Sequence, residues 1–265
     1  MNYFSAPTRP PGAIVITGAG SGIGAALAHC YARPGQLFLL LGRRRIALEN
    51  VATELRQMGA EVELATVDVR NAEAVQRIAA DFGQRRGPVA LLIASAGISV
   101  GTSCELVEDC KVFAEVIATN LLGMHYSIAA FLPHLPARAQ VVGIGSVAGF
   151  RGLPGAAAYA AAKAGVAVYL ESLRLDLRSR EIGVTCIAPG FIATPMTANN
   201  PYPMPWLLDV ERAARKIQRG IDRRRRFLVL PWQMRWLSLL LRVLPSGVYE
   251  WLWPRRLASK GRRRD

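Results

Sequence analysis

Tyr159 and Lys163 stand four positions apart in the run Tyr159-Ala160-Ala161-Ala162-Lys163. The alanines between them suit a helix, and positions i and i+4 share one helix face. A phenol with a pKa of about 10 is a poor base at neutral pH. A neighbouring ammonium favours the phenolate and lowers that value. Such a pair can pass a proton to or from an oxygen held against it. Taken alone, a Tyr/Lys pair at this spacing is more often a helix-surface pair, so its meaning depends on what surrounds it.

The segment Thr17-Gly18-Ala19-Gly20-Ser21-Gly22-Ile23-Gly24 lies between an apolar run and a helix-like stretch. Glycines without Cβ atoms let the backbone approach a pyrophosphate closely. The helix that follows offers free N–H groups and a positive dipole end to the same group. A glycine triplet by itself is a weak signal. Here it sits in the strand–turn–helix context that phosphate binding requires.

The Gly-x-x-x-Gly-x-Gly spacing and the Tyr-x-x-x-Lys pair, in this order, resemble the short-chain dehydrogenase/reductase family in its single-domain branch. The resemblance runs from about Ala13 to Met196. It implies an oxidoreductase that interconverts a ketone and a secondary alcohol with a nicotinamide cofactor. Tyr159 is then the catalytic acid/base, and Lys163 tunes it and binds the nicotinamide ribose. Ser146, thirteen residues before Tyr159, corresponds to the serine that hydrogen-bonds the substrate oxygen and stabilises charge there. Asn120 matches the helix asparagine that holds a water linking the lysine to a proton relay. Gly18, Gly20, Ser21, Gly22, Ile23 and Gly24 form the cofactor turn, and Asp68 and Val69 take the adenine. Ala96 and Gly97 match a family motif whose two preceding asparagines are here Ala94 and Ser95, which bears on local rigidity. Pro189, Gly190, Ile192 and Thr194 belong to a segment that closes over the nicotinamide. The family also pairs its long helices into homodimers or homotetramers.

The second apolar run ends Leu41-Gly42-Arg43-Arg44-Arg45. An acidic residue there would bond the ribose 2′-OH of NAD and repel a 2′-phosphate. Gly42 holds that place instead. Arg43 first, and Arg44 second, can pair with the phosphate through charge-assisted hydrogen bonds. The cofactor expected is NADP(H).

These residues need a scaffold, and the hydrophobic pattern supplies one. Strands are predicted at Ala13–Thr17, Leu37–Leu41, Val62–Val67, Val89–Ala94, Gln140–Ile144, Val184–Ala188 and Phe227–Leu230. Helices are predicted at Gly22–Ala32, Ile46–Met58, Ala72–Phe82, Val107–Leu132 and Ala158–Arg180. Uniformly apolar strands separated by helices imply a parallel sheet covered on both faces. The fold class is α/β, a doubly wound Rossmann arrangement of seven parallel strands.

Residues 1–230 are read as the catalytic domain, and 231–265 as a basic amphipathic helical extension. The net charge of +14 is uneven. From Val210 onward there are sixteen Arg/Lys against four acids. A helix over Trp232–Leu244 places Arg235, Ser238 and Arg242 on one stripe, opposite Trp232, Trp236, Leu239, Leu240 and Val243. Tyr249, Trp251 and Trp253 follow, then Arg255, Arg256 and the run Lys260 to Arg264. The segment is too short and too charged to span a bilayer. Interfacial tryptophans with flanking arginines suit an anionic membrane surface, while packing on the protein or a dimer partner is the competing reading. No nucleic-acid motif is present.

The loop Met196 to Leu208, rich in Pro, Met, Tyr202 and Trp206, suits an apolar substrate. A long-chain 3-oxo lipid is preferred, with a steroid- or retinoid-like alcohol next. A non-catalytic NADP(H)-binding redox sensor or membrane-associated scaffold is the alternative function. With 51% hydrophobic residues and a mean hydropathy of +0.21, disorder is excluded as the main state. The first residues lack a signal-peptide layout, so a cytoplasmic location is expected, with peripheral attachment to the inner face of a membrane through the tail. Cys30, Cys104, Cys110 and Cys186 form no Cys-x-x-Cys pair, and His29, His125 and His134 do not join them. Neither a disulfide framework nor a metal site is expected.

Overall fold

The structure, a computed structural model, describes residues 9–253 apart from 104, 199, 201, 202 and 252. Cys104, the loop positions Pro201 and Tyr202, and the arginine runs after Trp253 lie outside the described residues.

Seven strands form one parallel sheet: β1 (Ala13–Thr17), β2 (Leu37–Gly42), β3 (Glu61–Thr66), β4 (Val89–Ala94), β5 (Gln140–Ile144), β6 (Gly183–Pro189) and β7 (Phe227–Leu230). Their order is β3-β2-β1-β4-β5-β6-β7, so the winding reverses between β1 and β4. In register, Ile16 stands beside Leu40 of β2 on one side and Ile93 of β4 on the other. The carboxyl ends on either side of such a reversal diverge and leave a crevice.

Alternation along the strands feeds two cores. Val15, Leu39, Leu41 and Leu92 face one layer with Val75, Phe82, Ile128, Phe131 and Val166. Ile14, Ile16, Phe38, Leu40 and Ile93 face the other with Leu27, Leu48, Leu55 and Ile217. The first layer is covered by α3 (Ala72–Arg86), α5 (Gly123–Phe131) and α6 (Ala157–Asp176), the second by α1 (Gly22–Tyr31), α2 (Arg45–Gln57) and α7 (Val210–Asp222). Each fully buried Leu, Ile or Phe of this set contributes roughly 1.5–3 kcal/mol.

Two features depart from the sequence expectation. The single long helix predicted over Val107–Leu132 is α4 (Asp109–Ile117), one wide turn at Ala118–Leu122, then α5. Such a turn carries an extra residue per loop of hydrogen bonding and concentrates at functional positions. By length and composition Asp109–His134 could cross a membrane. Within the domain its α5 part packs on α3 and its α4 part on α6.

Helix α7 was not anticipated, because its sequence reads as the start of the basic tail. Asp209 caps it, accepting from the Arg212 N–H at 3.0 Å. Its buried face is Ala213, Ala214, Ile217, Gly220 and Ile221. The basic excess therefore begins on a helix of the sheet's own cover. Beyond β7 come α8 (Trp232–Val243) and α9 (Ser246–Trp251).

Candidate active site

The cleft opens at the carboxyl ends of β1, β2, β4, β5 and β6, with a volume of about 260 Å³. The glycine turn forms its floor. At Gly18 φ is 68°, and an added Cβ would lie 2.8 Å from the Ala96 main chain. Only glycine lets the β1 and β4 exits pass this closely. Gly20, Ser21, Gly22 and Ile23 line the cleft beside it. Gly24 does not: it is buried, and a Cβ there would meet the Gly18 carbonyl at 2.5 Å. It acts by letting α1 sit against the turn. Ser21 heads α1 with no side-chain bond to the helix amides, so the first N–H groups face the cleft mouth as an anion-binding end.

Arg43 and Arg44 stand at the other end of the cleft, both exposed. Arg44 donates to the Ser21 hydroxyl at 3.1 Å. Arg45 turns away and pairs with Glu49 at 2.6 Å. Among the described residues Arg43 makes no ion pair. Asp68 and Val69 line the cleft next to it. The Asp68 carboxylate already accepts from Arg70, at 2.7 Å from its guanidinium and 3.0 Å from its N–H. That guanidinium holds the carboxyl below the usual carboxylate range. The sequence reading missed Arg70; an arginine two residues after a carboxylate at a strand exit is the only signal for it.

At β4's exit the family asparagines are absent. Thr17 takes over part of the bracing: its hydroxyl accepts from the Ser95 and Ala96 N–H groups at 3.1 and 3.2 Å. Ala96 and Gly97 line the cleft. Asn120 is fully buried in the wide turn between α4 and α5. Its amide accepts from the Ile98 N–H at 2.9 Å and donates to the Ile98 carbonyl at 2.8 Å. The side chain thus clamps the segment after β4, and a relay water would have to bond its main chain instead.

Tyr159 and Lys163 lie near the start of α6, with the ammonium 5.7 Å from the phenol ring centroid. Lys163 is buried, 5% exposed, and donates to the Ile144 carbonyl at 2.8 Å. Burial pushes its pKa down to about 8, and this outweighs a smaller opposing effect of Cys186. Burial raises the Tyr159 phenol, and a hydrogen bond with Ser146 works against the rise. The expected lowering of the phenol by Lys163 is therefore not what governs it here. Ser146 lies two residues beyond the end of β5 and also accepts from the Ala148 N–H at 3.1 Å. The Ser146 hydroxyl and the Tyr159 phenol share a hydrogen bond, and with Lys163 they line the same cleft.

Gly149, which sequence reasoning passed over, permits this convergence. A Cβ there would lie 2.7 Å from the Lys163 carbonyl, so only glycine lets the serine-bearing segment touch α6. Pro189, Gly190, Ile192 and Thr194 line the near wall. Thr197 was also missed; its hydroxyl donates to the Ile192 carbonyl at 2.7 Å and accepts from the Thr194 N–H at 3.0 Å. The loop beyond is pinned again where Ala193 donates to the Leu208 carbonyl at 2.8 Å. Between the pins, Met196, Trp206 and Leu207 stay exposed rather than packing on the fold. Among the described residues no cluster of potential metal ligands occurs.

The glycine turn and the open N-terminus of α1 beside the cleft fit the pyrophosphate of a dinucleotide. The family model for the short chain dehydrogenases matches residues 12–203. An uncharacterized oxidoreductase of Myxococcus xanthus is 37% identical over 239 residues, covering 89% of this chain and 94% of its own. The 11-beta-hydroxysteroid dehydrogenase-like 2 of Arabidopsis thaliana is 32% identical over 242 residues, covering 89% and 78%. Among solved structures, an alcohol dehydrogenase of the archaeon Thermococcus sibiricus, complexed with 5-hydroxy-NADP, superposes with a TM-score of 0.73. It is 28% identical and covers 83% of this chain and 94% of its own. The chain belongs to the short chain dehydrogenase family, oxidoreductases that act on CH–OH groups with a nicotinamide cofactor.

Proposed function

We propose that this protein is an NADP(H)-dependent oxidoreductase that interconverts a ketone and a secondary alcohol on a hydrophobic substrate. The observation that carries the reading is the convergence of Ser146, Tyr159 and Lys163 at one end of a cleft whose other end bears Arg43 and Arg44. Bound NADPH would supply the hydride that reaches the carbonyl carbon. Ser146 donates a hydrogen bond to the carbonyl oxygen and stabilises its growing charge. Tyr159 then gives that oxygen its phenolic proton, and the alcohol leaves. Burial supports this acid role, because a raised phenol pKa keeps the proton in place at neutral pH. Lys163 holds positive charge beside the phenolate left behind and binds the nicotinamide ribose.

Arg43, which makes no ion pair among the described residues although its charge also reaches Asp68, pairs with the 2′-phosphate, and Arg44 braces Ser21 against it. Exposed Met196, Trp206 and Leu207 at the loop support an apolar substrate. Relatives named for hydroxysteroid dehydrogenases point the same way.

Initial rates with NADPH and NADH across a panel of apolar ketones test the reading. Alcohol should form in step with NADPH loss, with NADPH preferred by roughly tenfold or more, the effect of about 1.4 kcal/mol from one phosphate pair. Gly42→Asp should erase that preference, since its Cβ meets only the tip of Leu48 at 3.2 Å. A wild-type preference for NADH would refute the cofactor assignment.

A further inference from the structure

The strongly basic helix α7, strand β7 and helix α8 border a second groove of about 820 Å³. Lys216, Arg219, Arg223, Arg225, Arg235 and Arg242 line it, and Glu171 is the one acid doing so among the described residues. Arg174 lines it as well, donating to the Val184 and Arg226 carbonyls, and none of the seven cations is in an ion pair among those residues. The groove meets the cofactor cleft at Gly145 and Ser146, which line both.

Beside it runs an uncovered apolar ridge. Trp232 and Trp236 are 66% and 64% exposed, and Leu240 and Val243 extend the same side of α8. This ridge has no place to fold inward, because the inner face of α8 is already taken by buried Met234 and Ser238. The helix is also held in place at its far end. Arg151 donates to the Leu241 and Leu244 carbonyls at 2.9 and 2.8 Å, and Tyr249 donates to the Gly152 carbonyl at 2.5 Å.

We propose that the α7–β7–α8 face docks on an anionic lipid bilayer, with the α8 tryptophans in the headgroup layer and the groove's cations against lipid phosphates. Interfacial indoles flanked by unpaired arginines match the two attractions such a surface offers. A second copy of this chain fits less well. A two-fold contact places a patch against itself, which would press like charges together without counter-ions. Docked this way, the groove opens to the lipid side, and through it so does Ser146. The docking does not depend on the redox reading.

Co-sedimentation of the full chain with phosphatidylcholine vesicles, with and without an equal part of phosphatidylserine, tests the proposal without any turnover. At least about tenfold more protein should pellet with the anionic vesicles, and salt should reverse this. Trp232→Ser/Trp236→Ser and Arg219→Glu/Arg223→Glu should each lose about tenfold of the binding, with an unchanged melting temperature as the check on folding. Equal pelleting with and without vesicles would overturn the proposal. So would full binding by both variants, which would assign the attraction to another part of the chain. A dimer that dissociates in the tryptophan variant, without vesicle binding, would assign the face to a second copy.

Discussion

Lys163 carries the sharpest physical signature at the level of single residues. Its ammonium is buried against the Ile144 carbonyl, and burial pulls its pKa from 10.5 to about 8. Below pH 8 both folded and unfolded chains hold the proton, and the burial penalty is complete. Between about 8 and 10.5 only the unfolded chain binds it, so folded stability gains as pH rises. Lys163→Met has no group to titrate. Denaturant unfolding of the cofactor-free proteins should show wild type gaining up to about 3 kcal/mol on the variant across this window. The comparison with the variant matters because buried Cys186, whose thiol is raised to about 12, shifts both proteins alike in the opposite direction. Parallel pH profiles would mean that Lys163 is not desolvated. Sequence spacing was enough to put Tyr159 and Lys163 on one helix face. It could not reveal which carbonyl holds the ammonium, nor that burial outweighs charge at the phenol. Those depend on how α6 packs against the end of β5, which the hydrophobic period does not show.

At the level of elements, strands were the most legible, because β2, β4 and β7 read as unbroken apolar runs and β1 and β5 carry a single polar residue at one end. Long-range context defeated the reading in two places. The wide turn at Ala118–Leu122 leaves no mark in the hydrophobic period, yet it places Asn120 on the Ile98 backbone. Helix α7 hid within a basic stretch, since Ala213, Ala214 and Gly220 are small and their burial shows only once the sheet is assembled. Close approach of elements is equally silent in sequence. Gly149 meets the main chain of Lys163, whereas Gly152 meets nothing within 4 Å. Gly149→Ala should therefore destabilise by about 1–3 kcal/mol, a Tm loss on the order of 5 °C. Its kcat should fall further than its cofactor affinity, because Ser146 and Tyr159 are pushed apart. Gly152→Ala, measured alongside by thermal melting, should leave Tm near the wild-type value. Equal melting temperatures for the two variants would contradict the packing account.

Across the whole molecule, the winding reversal between β1 and β4 assembles residues drawn from nearly two hundred positions into one cleft. The glycine turn, the β2 arginines and the Ser/Tyr/Lys group were each readable, because their chemistry is tied to fixed spacing. The direction of the tail was not. The sequence divided α8 into two faces, but only the structure orients it, with Met234 and Ser238 inward and the tryptophans outward. The central proposal is that this cleft reduces a carbonyl with Tyr159 as the proton donor. Tyr159→Phe tests it most directly, because it removes one oxygen and leaves the rest of the ring in place. Turnover of an accepted ketone should fall by at least about 10²–10⁴-fold, while NADPH binding, followed by its fluorescence, stays within a few fold of wild type. Turnover retained at the wild-type rate, with cofactor binding intact, would contradict the account.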